Sequence, residues 1–157
     1  MKKMSENVNF KAVLKRAMAL CAQREQCTED IRIKLNSWGI NDTDANKIIS
    51  TLILENFVND NRYANAFVTD KFRHYKWGRV KIASHLGAKK IGTDSIRTAL
   101  ASIEEDQYKQ MIMDILAAHR KSVKAKNQYD LKGKLMRFGL SRGYESNLLY
   151  DILNELD

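Results

Sequence analysis

The chain is 157 residues long, contains no proline and only seven glycines, and carries a formal net charge of +8. Such a composition, rich in Leu, Ile, Ala and Lys, suits helices and suits a sandwich or barrel of short strands poorly. No window approaches the roughly 18 apolar residues of a membrane span. Two cysteines (Cys21, Cys27) and three dispersed histidines (His74, His85, His119) offer no zinc-ligand spacing.

In chain order, the opening MKKMSENVNF has two lysines with no apolar stretch behind them, which is not a secretory signal. Residues 1–8 read as a disordered start, and free thiols in a cytoplasmic setting are expected. A first three-helix unit is predicted over 9–58. Cys21, between Leu20 and Ala22, reads as a buried, inert thiol. Thr28 before Glu29 and Asp30, and Thr43 before Asp44, read as helix caps, and Gly39 as a stop. Ala45, Ile48, Ile49, Leu52 and Ile53 share one helix face.

A second unit is predicted over 59–103. Asp60 reads as a cap and Arg62 as a local ion-pair partner. Ala64, Phe67, Val68, Phe72 and Tyr75 form its first face, and Thr93 before Asp94 caps its last helix. A third unit is predicted over 104–157. Glu104, Glu105 and Asp106 complement the positive end of a helix dipole. Tyr108, Met111, Ile112, Ile115 and Leu116 form one face, Gly139 reads as a stop, and Leu148, Leu149, Ile152, Leu153 and Leu156 form the last face.

The units repeat. IRIKLNSWGI (31–40), IASHLGAKKI (82–91) and LKGKLMRFGL (131–140) align at Ile31, Ile82 and Leu131, at Leu35, Leu86 and Leu135, and at Ile40, Ile91 and Leu140. The offsets are 51 and 49 residues. A period near 50 fits an array in which each unit buries its face on its neighbours. The fold class expected is therefore all-α: three tandem three-helix units in a stacked array.

The charge is uneven. Residues 1–60 hold 9 basic and 8 acidic side chains, residues 61–103 hold 9 and 2, and residues 104–157 hold 9 and 9. A basic middle between near-neutral flanks points to an anionic partner. The candidates are Lys71, Arg73, Lys76, Arg79, Lys81, Lys89, Lys90 and Arg97, with Arg137 and Arg142 secondary. Lys and Arg would neutralise phosphates and release counterions, or dock on an acidic protein surface. Tyr75 and Trp77 could stack on bases. Trp38 and Phe138 occupy comparable places near a glycine, which favours a packing role instead.

The stretch NDNRYANAFVTDKFRHYKWGRVKIASHLGAKKI (59–91), through Asp60, Arg62, Tyr63, Ala64, Gly78, Arg79, Ile82, Leu86 and Ile91, resembles the signature of the RecX family of recombination regulators. LKGKLMRFGLSRGYESNLLYDIL (131–153) resembles that family's last unit through Phe138, Arg142, Gly143 and Tyr144, and EDIRIKLNSWGI (29–40) its first. Asn59 replaces the first acidic residue of the pattern, and Lys90 stands where its closing Lys-Gly-Ile has glycine. The resemblance implies three tandem three-helix units in an elongated, curved array. It also implies a protein that binds RecA recombinase polymerised on single-stranded DNA, lies along the filament groove, and lowers ATPase and strand-exchange activity.

Three other readings stand beside this one. A helix-turn-helix-like module could act on naked DNA through the middle unit. A structural adaptor would need no such charge asymmetry. Catalysis has no support: there is no phosphate-binding glycine loop and no nucleophile–base spacing. No cofactor or metal, no membrane association and a monomer are expected, with DNA reached through the filament.

Overall fold

The computed structural model describes residues 7–155, all of whose regular elements are helices. These are α1 (Asn7–Gln23), α2 (Thr28–Ser37), α3 (Asp42–Leu54), α4 (Asp60–Arg73), α5 (Arg79–Ala88), α6 (Thr93–Ala101), α7 (Glu105–Arg120), α8 (Gln128–Ser141) and α9 (Ser146–Glu155). Of the expected disordered start, residues 1–6 lie outside the described residues, and α1 already begins at Asn7. Leu156 also lies outside them.

The helices pack in consecutive triplets: α1 and α2 against α3, then α4 and α5 against α6, then α7 and α9 against α8. The result is an all-α array of three three-helix units. Most of the expected faces are buried, including Ala45, Ile48, Ile49 and Leu52 on α3, and Tyr108, Met111, Ile112 and Leu116 on α7. Ile53 is the exception on its face, 51% exposed at the frayed end of α3.

Side-chain caps sit one or two residues earlier than the threonines suggest. The Cys27 thiol accepts from the Asp30 N–H at 3.4 Å, and Asn41 accepts from Asp44 at 2.8 Å. Asn59 accepts from Arg62 at 3.0 Å, so Asn59, not Asp60, caps α4. Asn outranks Thr as a cap. Thr93 follows its cap, Gly92.

The repeat is real but one of its registers slips. The α2 end closes with the Ile40 N–H on the Leu35 carbonyl and Gly39 at φ +80°. The α5 end closes with Ile91 on Leu86 and Lys90 at φ +58°. In the third unit the same bond runs from Tyr144 to Gly139, with Gly143 at φ +92°. The true offset of the third unit is therefore 53 residues (91 to 144), not 49. Because α8 runs four residues longer than α5, Leu140 is still helical and 47% exposed. Gly139 is not a stop. It lies buried inside α8, where a Cβ would strike the Leu149 methyls, and lets α9 approach closely.

Buried apolar side chains form two separate clusters. One belongs to the first unit, around Ile31, Leu35, Ile48 and Leu52. The other runs unbroken through the second and third units, from Val68 and Leu86 to Leu116 and Leu149. Between those two units the N-terminus of α5 is capped by the third unit. The Gly78 N–H donates to the Arg142 carbonyl at 2.8 Å, Arg79 to the Tyr108 hydroxyl at 2.9 Å, and Val80 to the Gly143 carbonyl at 3.0 Å. A Cβ on Gly78 would be driven into the Gly143 carbonyl, and one on Gly143 into Lys81.

Two substitutions with opposite signs test this account by urea denaturation. Gly78→Ala should cost about 2–3 kcal/mol, because the obstacle is rigid backbone. Lys90→Gly should add about 0.5–1 kcal/mol by removing left-handed strain, net of glycine's entropy.

Candidate nucleic-acid interface on the middle unit

The turn from α4 to α5, residues 74–78, gathers the aromatic and basic residues singled out in the sequence. Lys76 takes φ +59° there, which reverses the chain and brings Trp77 back over α4 and α5. Trp77 is half-buried, with its ring 6.2 Å from Phe67 and 4.6 Å from His85. Its packing role is thus met. Two cations also lie against it: Lys81 Nζ at 4.4 Å and Lys71 Nζ at 5.1 Å from the ring centroid. Lys71 sits at 4.3 Å over Tyr75, which is 52% exposed. Each such cation–π contact contributes about 0.5–1 kcal/mol at an exposed site. A basic, aromatic surface is thereby held in a fixed geometry.

Beside this turn, Arg73 and Lys76 line a groove with Phe72, Gln107, Gln110, Met111, Asp114 and Ile115. Neither cation has an ion pair among the described residues. Arg142 donates to the Tyr75 carbonyl at 2.9 Å, and its buried Nε has no partner. Arg142 therefore braces the turn from the third unit. Arg137 is exposed on α8 and lies apart from the turn.

Five of the predicted cations have carboxylate partners, and Lys71 is one of them, 3.7 Å from Asp70. Arg79 pairs with Glu105 and, at 3.0 Å, with Glu145, and its guanidinium lies 4.0 Å over the Tyr108 ring. Burial opposes that charge, but the two carboxylates outweigh it and hold the group above its ordinary value. Tyr108 donates to Glu145. Burial, then that carboxylate, push its phenol well above the usual tyrosine range.

Lys89 pairs with Asp30 at 2.7 Å and Lys90 with Glu29 at 3.4 Å, both across the joint to the first unit. The hydrogen bond to Asp30 raises the Lys89 ammonium above its ordinary value. Arg97 pairs with Asp94 on its own helix at 2.9 Å. Arg62 is not a local partner: it reaches Glu25 at 2.8 Å, 37 residues away. Asp60 accepts the Thr28 N–H across the same joint at 2.8 Å.

Counting charges unit by unit missed the pairs of Arg79 and Lys89, because their acids lie in the flanking units, 26 to 66 residues off in sequence. Cys27 is fully buried at the first joint, and burial pushes its thiol up to about 11. Cys21 is only partly buried. Of the histidines, His85 packs on Trp77 and His119 lies flat on Phe138 at 3.6 Å. No group of three or more His, Cys, Asp or Glu residues that could hold a metal occurs among the described residues.

The division of the cations into paired and unpaired sets predicts unequal costs in urea denaturation. Arg79→Gln should destabilise by about 2 kcal/mol, since it strips charge-assisted bonds from Glu145 and leaves Tyr108 uncovered. Arg73→Gln should change stability by less than about 0.5 kcal/mol.

Comparison with known proteins agrees with this architecture. A sequence model of the RecX second three-helix domain matches residues 59–100, the segment that holds the turn. The regulatory protein RecX of Clostridium botulinum (strain Eklund 17B / Type B) is 34% identical over 130 residues, covering 81% of this chain and 60% of that protein. That of Clostridium beijerinckii is 26% identical over 155 residues, covering 98% of this chain and 72% of that one. The chain thus spans about 60% of the first relative's length. The crystal structure of RecX from Lactobacillus salivarius superposes with a TM-score of 0.85 over 97% of this chain and 99% of that chain, at 20% identity. The chain is thus similar in sequence to RecX regulatory proteins over most of its length, with the signature of the RecX second three-helix domain in its middle unit, and its fold is that of the solved RecX structure.

Proposed function

We propose that this protein is a regulator that binds the RecA recombinase filament on single-stranded DNA and lowers its ATPase and strand-exchange activities. It does so in the cytoplasm, as a monomer and without catalysis of its own. The units are taken as 9–58, 59–103 and 104–157. The observation that carries the reading is the α4–α5 turn, where Arg73 and Lys76 stand without ion pairs beside the Lys71–Trp77–Lys81 cluster. An array of units suits a partner that itself repeats, because one molecule can touch several filament subunits. The phosphates along the filament, or an acidic groove wall, would meet the unpaired cations.

The geometry does not favour a helix-turn-helix reader of naked duplex. In that motif the N-terminal residues of the last helix contact base edges. Here that helix is α6, which opens with an almost fully exposed Asp94 that also holds Arg97. A carboxylate at that position repels the DNA backbone.

The test is a titration of the protein into single-stranded-DNA-dependent RecA ATPase at two salt concentrations. Inhibition is expected well below one molecule per recombinase subunit, and weaker at high salt. Charge reversal should be confined to Arg73→Glu, Lys76→Glu and Lys81→Glu, because Arg79 and Lys89 hold the joints. The triple variant should keep its helical content and lose roughly tenfold or more in inhibitory potency. Full inhibition by the folded triple variant would remove the turn as the contact surface.

A further inference from the structure

The near-neutral charge of the third unit hides a second concentration. Residues 120–137 contain seven basic side chains (Arg120, Lys121, Lys124, Lys126, Lys132, Lys134, Arg137) and one acidic, Asp130. The net is +6 over 18 residues, the same as residues 73–90 with six basic and none acidic. Three of the unit's acids, Glu104, Glu105 and Asp106, sit at the far end of α7, about 24 Å away along its axis.

The elbow between α7 and α8 is held by several contacts. His119 lies flat on Phe138 and pins the end of α7 to α8. The Val123 N–H donates to the Arg120 carbonyl at 3.2 Å, and Val123 packs on the core. Asn127 caps α8 by accepting from Asp130 at 2.8 Å. The single acid is engaged: Asp130 accepts the Lys126 N–H at 3.0 Å and pairs with Lys134 at 3.3 Å. These bonds, the amide first, hold its carboxyl below the usual range. The side chains of Arg120, Lys121, Lys124 and Lys126 are exposed and form no ion pair among the described residues. Next to them Tyr129 stands 89% exposed on the first turn of α8.

We propose that this elbow is a second contact for single-stranded nucleic acid: Arg120, Lys121, Lys124 and Lys126 hold phosphates, and Tyr129 stacks on a base. An acidic protein partner fits less well. Protein interfaces centre on an apolar core, and here one lone aromatic is set among cations. Duplex fits less well too, because Tyr129 can stack only on an unpaired base. The elbow is separate from the middle-unit turn. The groove beside that turn is lined on α7 by Gln107, Gln110, Met111, Asp114 and Ile115, whereas the elbow begins at Arg120, the last residue of that helix. A strand engaged at both places would be tethered across two units that share one core.

The experiment measures binding of a labelled oligothymidine to the whole chain over a range of salt, with no recombinase present. Its failure is therefore distinct from any failure of filament inhibition. The fourfold variant Arg120→Gln, Lys121→Gln, Lys124→Gln, Lys126→Gln should melt like the parent. Its log–log salt slope should fall by about 2–3, near 0.7 for each lost phosphate contact on a single strand. Tyr129→Ala should weaken binding by roughly fivefold or more while leaving the slope unchanged. An unchanged affinity and slope in the fourfold variant would overturn the proposal. So would loss of filament inhibition with oligothymidine binding intact, which would make the elbow a protein contact. A reduced slope with no effect of Tyr129→Ala would overturn the assignment to single strands.

Discussion

The molecule depends on one backbone clasp. Three consecutive amides at the start of α5, those of Gly78, Arg79 and Val80, find their acceptors in the third unit. A helix leaves its first amides unsatisfied, and burying them unpaired would cost about 1–3 kcal/mol each. The second unit therefore cannot complete its own helix. The two backbones come so close that both sides of the contact are glycine, Gly78 and Gly143. Around it, Tyr108 and Tyr144 donate to Glu145 and to the Lys76 carbonyl, and the apolar core continues across. Residues 60–155 thus behave as one body, and the α4–α5 turn is held from both ends.

That constraint sorts the positive charge. A lysine or arginine near a joint meets a carboxylate from the next unit, as Arg79, Lys89 and Lys90 do. Arg73 and Lys76 at the α4–α5 turn, and Arg120, Lys121, Lys124 and Lys126 at the α7–α8 elbow, have no ion pair among the described residues. The sorting matters because paired and unpaired cations do different things. A paired, half-buried arginine orients two units, and its removal strands a carboxylate. An unpaired, exposed lysine adds little to stability and is available to an anion. Net charge by segment cannot distinguish them. It overrates the stretch 73–90, where some cations pair with acids of the flanking units, and overlooks 120–137, where a single acid stands among seven basic residues.

Helical period was the most legible feature of the sequence, because apolar spacing reports a face directly. The offset of 51 between the first two units also holds, since Leu35 and Leu86 accept the same closing bond from Ile40 and Ile91. The third unit slipped by four residues. Four residues are about one helical turn, so a misaligned helix still shows the same face, and only the positive φ at Gly143 reveals the register. Caps were misplaced because Thr28 and Thr43 look like caps, whereas Cys27 and Asn41 are closer to the free amides. Ion pairs were illegible for a deeper reason: Arg79 to Glu145 spans 66 residues, and no local pattern announces it.

The two joints also differ in kind, and this decides how salt dependence should be read. The first joint packs buried Cys27 on the core of the second unit and is otherwise made of polar bonds: Glu25 with Arg62, Asp30 with Lys89, Glu29 with Lys90, and Thr28 with Asp60. Salt screens such exposed pairs, but each contributes only about 0–1 kcal/mol, and the Thr28–Asp60 bond is to a backbone amide. Salt at ordinary concentrations therefore loosens the first unit modestly and leaves the fused second and third units intact. Phosphate contacts respond far more steeply, since several counterions are released together and affinity falls as a power of salt. A steep salt dependence in any assay consequently reports the unpaired cations on the second and third units, and only a shallow one could come from the first joint giving way.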